Sequence, residues 1–287
     1  MTAQISAGQN HLGGKNSQRQ VIVTGATGFV GQHFVPLLIN AGFDVLAVSR
    51  DDARASSFDW FNKVRWIQHD IGKDRWTAEL EQNCALVHLA WPNLPNYNEM
   101  FHLEANLPQS YMFIKDLVDR GVAEVLVAGT CFEYGHVYGP INASSQCVPT
   151  TPYGIAKNVL RQQLEQLSQK RSFTLQWARL FYMYGTGQNP QSLPAQLDAS
   201  IKRGDKSFNL SGGEQLRDYL SVEDAAHQLL NLMLSKSVGA VNVCSGEPVS
   251  IRRFVENYVA CRGSSIQLNF GYYPYPVHEP MAFWGVR

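Results

Sequence analysis

A tyrosine and a lysine, Tyr153 and Lys157, stand four residues apart in the stretch Thr151-Pro152-Tyr153-Gly154-Ile155-Ala156-Lys157. Proline belongs in the first turn of a helix, so this stretch opens one, with an expected end near Gln169. On that helix the two side chains share a face. An ammonium beside a phenol favours the phenolate and lowers its pKa, and a phenol so tuned can exchange a proton with a carbonyl or alcohol oxygen. Taken alone, such a pair is common by chance and is usually just a surface contact. Two other features give it weight: a hydroxyl at Thr130, just past the apolar run Val122 to Ala128, and a glycine-rich turn far upstream.

That turn lies in QVIVTGATGFVG, Gln20 to Gly31. Val21, Ile22 and Val23 suit a strand buried on both faces, and the apolar spacing of Phe34, Leu37 and Leu38 begins a helix. Between them Gly25, Gly28 and Gly31 recur every third residue. The first glycine allows a tight turn, the second close approach of a pyrophosphate, and the third close packing of helix on strand. The helix N-terminus then offers unpaired N–H groups to phosphates. Phe43 to Val48 reads as a second strand, and at its end a bound dinucleotide presents its ribose. Ser49 and Arg50 stand there, with Arg54 nearby. A guanidinium suits a 2′-phosphate, which favours NADP(H) over NAD(H); the competing reading, a solvated Arg50, draws on Asp51 and Asp52.

The rest of the first half alternates strand and helix. Val64 to Asp70, Cys84 to Ala90 and Val122 to Ala128 read as strands, Trp76 to Gln82 and Glu99 to Asp119 as helices. This alternation belongs to βαβ units around a parallel sheet, whose ligands bind beyond the carboxyl ends of the strands. From Phe173 the pattern is more broken: a strand to Ala178, a helix Leu193 to Ile201, a short strand Lys206 to Leu210, a helix Val222 to Leu234 and a returning strand Ala240 to Val243. The expected fold is therefore α/β, a doubly wound parallel sheet over residues 20–178 with a smaller C-terminal substrate-binding region over 179–287, of which 218–244 returns to the first domain. Residues 1–19 read as a polar lead-in without the apolar core of a signal peptide.

Composition excludes several classes. Twenty-four basic residues balance twenty-four acidic ones, so no basic footprint for nucleic acid exists. No apolar run reaches the roughly 18 residues of a membrane helix. Five cysteines, none in a Cys-x-x-Cys pair, argue against disulfide and zinc frameworks, and no metal is expected. A cytoplasmic location is expected.

These motifs, taken together, resemble the extended short-chain dehydrogenase/reductases, the NAD-dependent epimerase/dehydratase family. TGATGFVG matches the family's nucleotide motif, HLAW is similar to its HLAA and PYGIAK to its PYxxSK. RLFYMYGTGQ, LRDYLSVEDAA and VNVCSGEPVSI resemble its RxxNVYGPxQ, RDFxxVxDxA and NxGSGxxxSI, in family order from Val21 to Ile251. The resemblance implies a Rossmann-like fold and assigns roles. Tyr153 would be the general acid/base, Lys157 would hold the nicotinamide ribose and depress the phenol, and Thr130 would bind the substrate oxygen. The cofactor would meet Gly25, Thr27, Gly28, Phe29, Val30, Ser49, Arg50, Asp70 and Ile71, with Leu89 and Ala90 lining its channel. Cys131, Phe132, Asn106 and Arg217 would contact a nucleotide sugar, Arg217 through its diphosphate. For Arg217 an ion pair with Asp218 or Glu223 is the alternative.

Departures from the family pattern select the chemistry. Members that dehydrate a hexose carry Asp-Glu directly after the catalytic threonine, whereas Cys131 and Phe132 stand here. Epimerase-reductases of the GDP-fucose synthase type carry a cysteine and a histidine where this chain has Phe132 and Gly187. Glu133 is either an additional acid or a capping carboxylate. The implied activity is NADP(H)-dependent reduction of a keto group on a nucleotide-activated deoxysugar, a 4-keto-6-deoxyhexose. An NAD-dependent 4-epimerase and a non-catalytic NADP-sensing binding protein are the alternatives. The helices 99–119 and 153–169 are expected to form a homodimer interface.

Overall fold

Val21 and Val23 are buried against one layer of helices and Ile22 against the other, the alternation of a strand covered on both faces. In this computed structural model, which describes residues 19–235, 237–275 and 280–287, that strand lies in the interior of the main sheet. The expected lead-in lies outside the described residues except at Arg19.

The strands of this sheet are β1 (Gln20–Thr24), β2 (Asp44–Ser49), β3 (Arg65–Gln68), β4 (Ala85–His88), β5 (Glu124–Thr130), β7 (Thr174–Leu180) and β11 (Gly239–Val243); β6 (Gly139–Ile141), β8 (Tyr182–Tyr184), β9 (Ser207–Asn209) and β10 (Leu216–Ser221) lie elsewhere. Its order is β11-β7-β5-β4-β1-β2-β3, and every neighbouring pair is parallel. The order reverses between β1 and β4, which opens a crevice at their carboxyl ends. Helices α1 (Gly31–Asn40) and, later in the chain, α6 (Val222–Leu234) cover one face. Between them in sequence come α2 (Asp52–Ser56), α3 (Leu107–Asp119), α4 (Pro152–Ser168) and α5 (Leu193–Arg203), of which α3 and α4 cover the other face. Leu160 and Leu164 of α4 are fully buried there, each contributing about 1.5–3 kcal/mol. The sheet is thus the α/β, Rossmann-like frame that the alternation predicts.

The smaller sheets pair β8 with β10 and β10 with β12 (Pro248–Ser250), β9 with β13 (Gln267–Asn269) and β6 with β14 (Phe283–Gly285). Leu197 of α5 and Phe254 and Val255 of α7 (Ile251–Cys261) form a second core there.

Two expectations about elements need correction. Trp76 to Gln82 is not helical. Trp76 is buried against His69 and Phe113, its Nε1 donates to Ala78 O, and the amide of Glu81 donates to Gln20 Oε1, so the backbone is committed elsewhere. The expected helix from Glu99 begins as a π-turn, His102–Asn106, before it becomes α3. Helix α7 was not foreseen, although Ser250 caps it by accepting from Arg253 N and apolar residues follow at helical spacing.

Candidate active site

Thr130 ends β5 and starts a short 3-10 turn, Cys131–Tyr134, as the first half of a capping box. Its Oγ1 accepts from Phe132 N at 3.3 Å, and Glu133 Oε1 accepts from Thr130 N at 2.8 Å. Glu133 is fully buried, and its carboxylate also takes the Trp177 Nε1–H at 2.8 Å and the Arg179 Nε–H at 2.7 Å. The capping reading of Glu133 therefore holds, in a buried rather than a solvated setting.

Helix α4 starts beside this turn. Thr151 caps it by accepting from Gly154 N at 3.1 Å. A Cβ on Gly154 would lie 2.5 Å from Phe132 O, so the helix end and the turn touch backbone to backbone. This contact brings Tyr153 beside Thr130, whose side chain favours the phenolate. Lys157, one turn on, is 2% exposed; its Nζ donates to Ala128 O at 2.8 Å and lies 3.9 Å above the Trp91 ring. Burial pulls the Lys157 ammonium down to about 7, with Glu133 opposing. Burial pushes the Tyr153 phenol up, and the Thr130 side chain opposes it only in part. The expected lowering of the phenol is thus reversed, because desolvation outweighs the nearby polar groups.

The segment between β4 and α3, joined by Phe132 from the turn after β5, supplies an aromatic wall. Trp91, Tyr97, His102 and Phe132 all lie within 5.3–6.1 Å of the Tyr153 ring, centroid to centroid. Tyr97 stacks on Phe132 at 4.6 Å, and its carbonyl accepts the Tyr153 amide at 3.1 Å. That amide is one of the first helical N–H groups, which have no partner within the helix. In the sequence Trp91 carried a signal as the last residue of HLAW and Phe132 as an expected substrate contact, whereas Tyr97 and His102 carried none.

The expected cofactor residues line the crevice. Gly25 has φ +69°, and a Cβ on it would meet Ala90 N at 2.8 Å, which only glycine tolerates. Thr27, Gly28, Phe29 and Val30 lead into α1, which has no acidic residue in its first turn. Across the crevice, Leu89 N donates to Thr24 O and Ala90 N to Thr24 Oγ1. At the end of β2, Ser49 Oγ is buried without a hydrogen-bond partner, and Arg50 is exposed. Asp70, half-buried next to Ile71, accepts from Gly72 N and pairs with Lys73. An acid-free helix N-terminus, a cradle without room for a side chain and an orphaned hydroxyl fit a dinucleotide.

The expected substrate residues divide. Cys131 is buried, with its thiol pushed up to about 12 by desolvation, and Phe132 joins the aromatic wall. Asn106 is buried and gives its amide hydrogens to Pro92 O and His102 Nδ1. Arg217 is 1% exposed; its guanidinium donates to Leu216 O and lies 5.0 Å from the Phe283 ring. Asp218 accepts from the Ser245, Gly246 and Gly285 amides instead. Among the described residues no group of three or more His, Cys, Asp or Glu could hold a metal ion, and no helix is long and apolar enough to cross a membrane.

The family profile described as "NAD dependent epimerase/dehydratase family" matches residues 21–244, from β1 through β11. The chain belongs to this family. Members similar to it include the dTDP-6-deoxy-L-talose 4-dehydrogenase (NAD(+)) of Aggregatibacter actinomycetemcomitans, 32% identical over 271 residues that span 93% of this chain and 99% of that one. The GDP-6-deoxy-D-talose 4-dehydrogenase of the same species is 24% identical, over 81% and 76% of the two chains. Among solved structures, MoeE5 in complex with UDP-glucuronic acid and NAD superposes with a TM-score of 0.76 at 25% identity, over 93% of this chain and 89% of that one. A UDP-N-acetylglucosamine 4-epimerase from Methanobrevibacter ruminantium M1 reaches 0.83 at 21% identity, over 94% and 90%, a likeness of fold. As a member of the family, the protein is an NAD(P)-dependent oxidoreductase acting on nucleotide sugars.

Proposed function

We infer that the protein reduces the 4-keto group of a nucleotide-activated 6-deoxyhexose, and oxidises the corresponding alcohol in reverse. The observation that carries this reading is the meeting of the Tyr153 helix start with the Thr130 turn, two hydroxyl residues at one site with no carboxylate at the two positions after Thr130. Such a site exchanges one proton at one oxygen and has no second acid or base for removing water from the sugar. The names of the two Aggregatibacter relatives support the same position of attack and the same sugar class.

Gly25, the α1 N-terminus, Ser49 and Arg50 would hold the cofactor's diphosphate and adenosine ribose, and Leu89 and Ala90 its channel. Its nicotinamide supplies or accepts the hydride. Tyr153 gives its proton to the sugar O4 while Thr130 holds that oxygen. As the ammonium, Lys157 spends one N–H on Ala128 O and has two left for ribose hydroxyls. The aromatic wall excludes water from the phenol. Residues 20–178 would thus form the cofactor half and 179–287 chiefly the sugar-nucleotide half, with Arg217 at the diphosphate, in a cytoplasmic homodimer built on α3 and α4.

Arg50 supports NADP(H). The carboxylate that follows it, Asp51, is turned to the Arg54 amide as the N-cap of α2. The NAD(+) in the name of one relative is the competing reading. The deciding experiment supplies a dTDP-4-keto-6-deoxyhexose with NADPH or NADH and follows absorbance at the nicotinamide band. Stoichiometric cofactor oxidation supports reduction. Interconversion of C4 epimers without net cofactor oxidation establishes the epimerase instead.

A further inference from the structure

The imidazole of His102 is wholly buried at the start of the π-turn, and both of its nitrogens are engaged. Trp91 Nε1 donates to Nδ1 at 3.0 Å, and Asn106 Nδ2 lies 3.3 Å from the same nitrogen. An indole N–H can only donate, so Nδ1 carries no proton. The proton then sits on Nε2, which donates to Asn96 O at 3.0 Å. One neutral tautomer satisfies all of these partners, and the imidazolium satisfies none at Nδ1.

What His102 grips is the segment that touches the reacting pair. Trp91, fixed by Nδ1, lies beneath the Lys157 ammonium. Asn96, fixed by Nε2, precedes Tyr97, whose carbonyl holds the Tyr153 amide and whose ring packs on the Tyr153 ring. Asn106 adds a tie to Pro92 O. Segment 91–97 is therefore tied to the core at both ends by one side chain and its neighbour on the π-turn.

We propose that His102, as the neutral Nε2–H tautomer, is a positioning residue that sets Trp91 under Lys157 and Tyr97 against Tyr153, so that protonating it releases the wall and slows turnover. The charged and titratable groups around it are Glu99 from the preceding turn, and Lys157 and Tyr153 from α4, with Glu133 beyond Lys157. Burial holds the imidazole below its ordinary range and Lys157 adds to this, while the Asn96 carbonyl and Glu99 oppose. The sign follows: the tether is whole at neutral pH and is lost as pH falls through that depressed value.

The inference rests on the proposed reduction only where turnover is the readout, so the test has two arms. In the first, nitrogen-15 NMR of the histidine-labelled full chain reports the tautomer directly. The Nε2–H form, titrating at lower pH than free imidazole, supports the proposal; an Nδ1–H form or an imidazolium at pH 7 overturns it. In the second, His102→Phe keeps an aromatic ring without either hydrogen bond, and His102→Gln keeps an acceptor and a donor but cannot titrate. His102→Phe should lower kcat about 10- to 100-fold, the scale of a displaced reacting geometry, with KM for the nucleotide sugar changed far less. His102→Gln should recover most of that loss and remove one ionisation from the acid limb of the kcat profile. The effect of Trp91→Phe should overlap rather than add to that of His102→Phe. Additive effects, or an unaltered acid limb in His102→Gln, overturn the proposal. If His102→Phe does not fold, His102→Gln and the NMR arm still decide it. A folded wild type with no turnover of any keto-sugar counts against the functional reading alone, and the imidazole spectrum then judges the tether.

Discussion

Glu133→Ala removes the carboxylate that ties the Thr130 turn to the sheet, and the size of its effect can be worked from burial. Glu133 is 0% and Arg179 2% exposed at the side chain, with 2.7 Å between Oε2 and Nε. The alanine leaves the guanidinium charge in place with Tyr134, Ala143 and Cys147 as its remaining partners, none of them anionic by its own chemistry at neutral pH. It also leaves Trp177 Nε1 and Thr130 N without the acceptor they share. Breaking a buried pair by removing one partner costs about 3–5 kcal/mol, roughly a fifth or more of a stability of about 5–15 kcal/mol. Glu133→Gln keeps an acceptor for Trp177 and Thr130 but gives up the charge, and should lose about 1.5–3 kcal/mol. Urea unfolding followed by tryptophan fluorescence measures both. In the folded Gln variant kcat should also fall, because Thr130 loses its charge-assisted anchor. A loss below about 1 kcal/mol for Glu133→Ala, or additive losses in the Glu133→Ala/Arg179→Met double mutant, would show that the pair is not coupled and refute the reasoning.

Four further outcomes are expected. Tyr153→Phe should lower kcat by about 100- to 10,000-fold while the urea midpoint stays near the wild-type value; near-wild-type turnover removes the phenol from the mechanism. Arg50→Ala should weaken NADPH about tenfold to a hundredfold and leave NADH almost unchanged, the worth of a charge-assisted contact to a 2′-phosphate; equal affinities for the two cofactors in the wild type contradict this. Lys157 is held at about 7 when folded against an ordinary value of 10.5, so the unfolded chain binds more protons between these limits and stability should rise with pH across that window. Lys157→Met should flatten this rise, and parallel stability profiles for the two proteins count against a buried, depressed amine. Light scattering at micromolar concentration should give a dimer, with Met112, 61% exposed on α3, near the contact; a monomer ends the interface assignment.

The sequence made the frame legible because its signals are local. β-branched runs, a glycine turn and capped helices each declare themselves within a dozen residues, and α6 is bounded by Ser221 and by Leu234 at the limits its spacing predicts. The site was legible where a residue type has one plausible use, as for Tyr153 and Lys157 on a shared helix face. It was not legible where function depends on partners far apart in the chain. Glu133 meets Trp177 and Arg179 from β7, and His102 meets Trp91 and Asn96 across an irregular segment, and none of these pairings has a fixed spacing. Trp76 shows the reverse error: a helical pattern was overridden by one buried indole. The phenol pKa was misjudged because spacing reports neighbours and not the water they exclude.

The contact between Gly154 and the Phe132 carbonyl bears on how this enzyme could be given a new substrate. The separation of the two reacting hydroxyls is gauged there by main chain against main chain, with a hydrogen atom as the spacer. Rotamer changes cannot tune it, and any larger residue at 154 must lengthen it. Libraries that vary 129–133 or 152–157 should therefore yield mostly dead variants. The same diversity placed at exposed Leu94 and Met100, outside both stretches, leaves the gauge set. The main chain that sets this separation and the exposed side chains near it are thereby different parts of the chain, and a search for altered sugars can move through the second without disturbing the first.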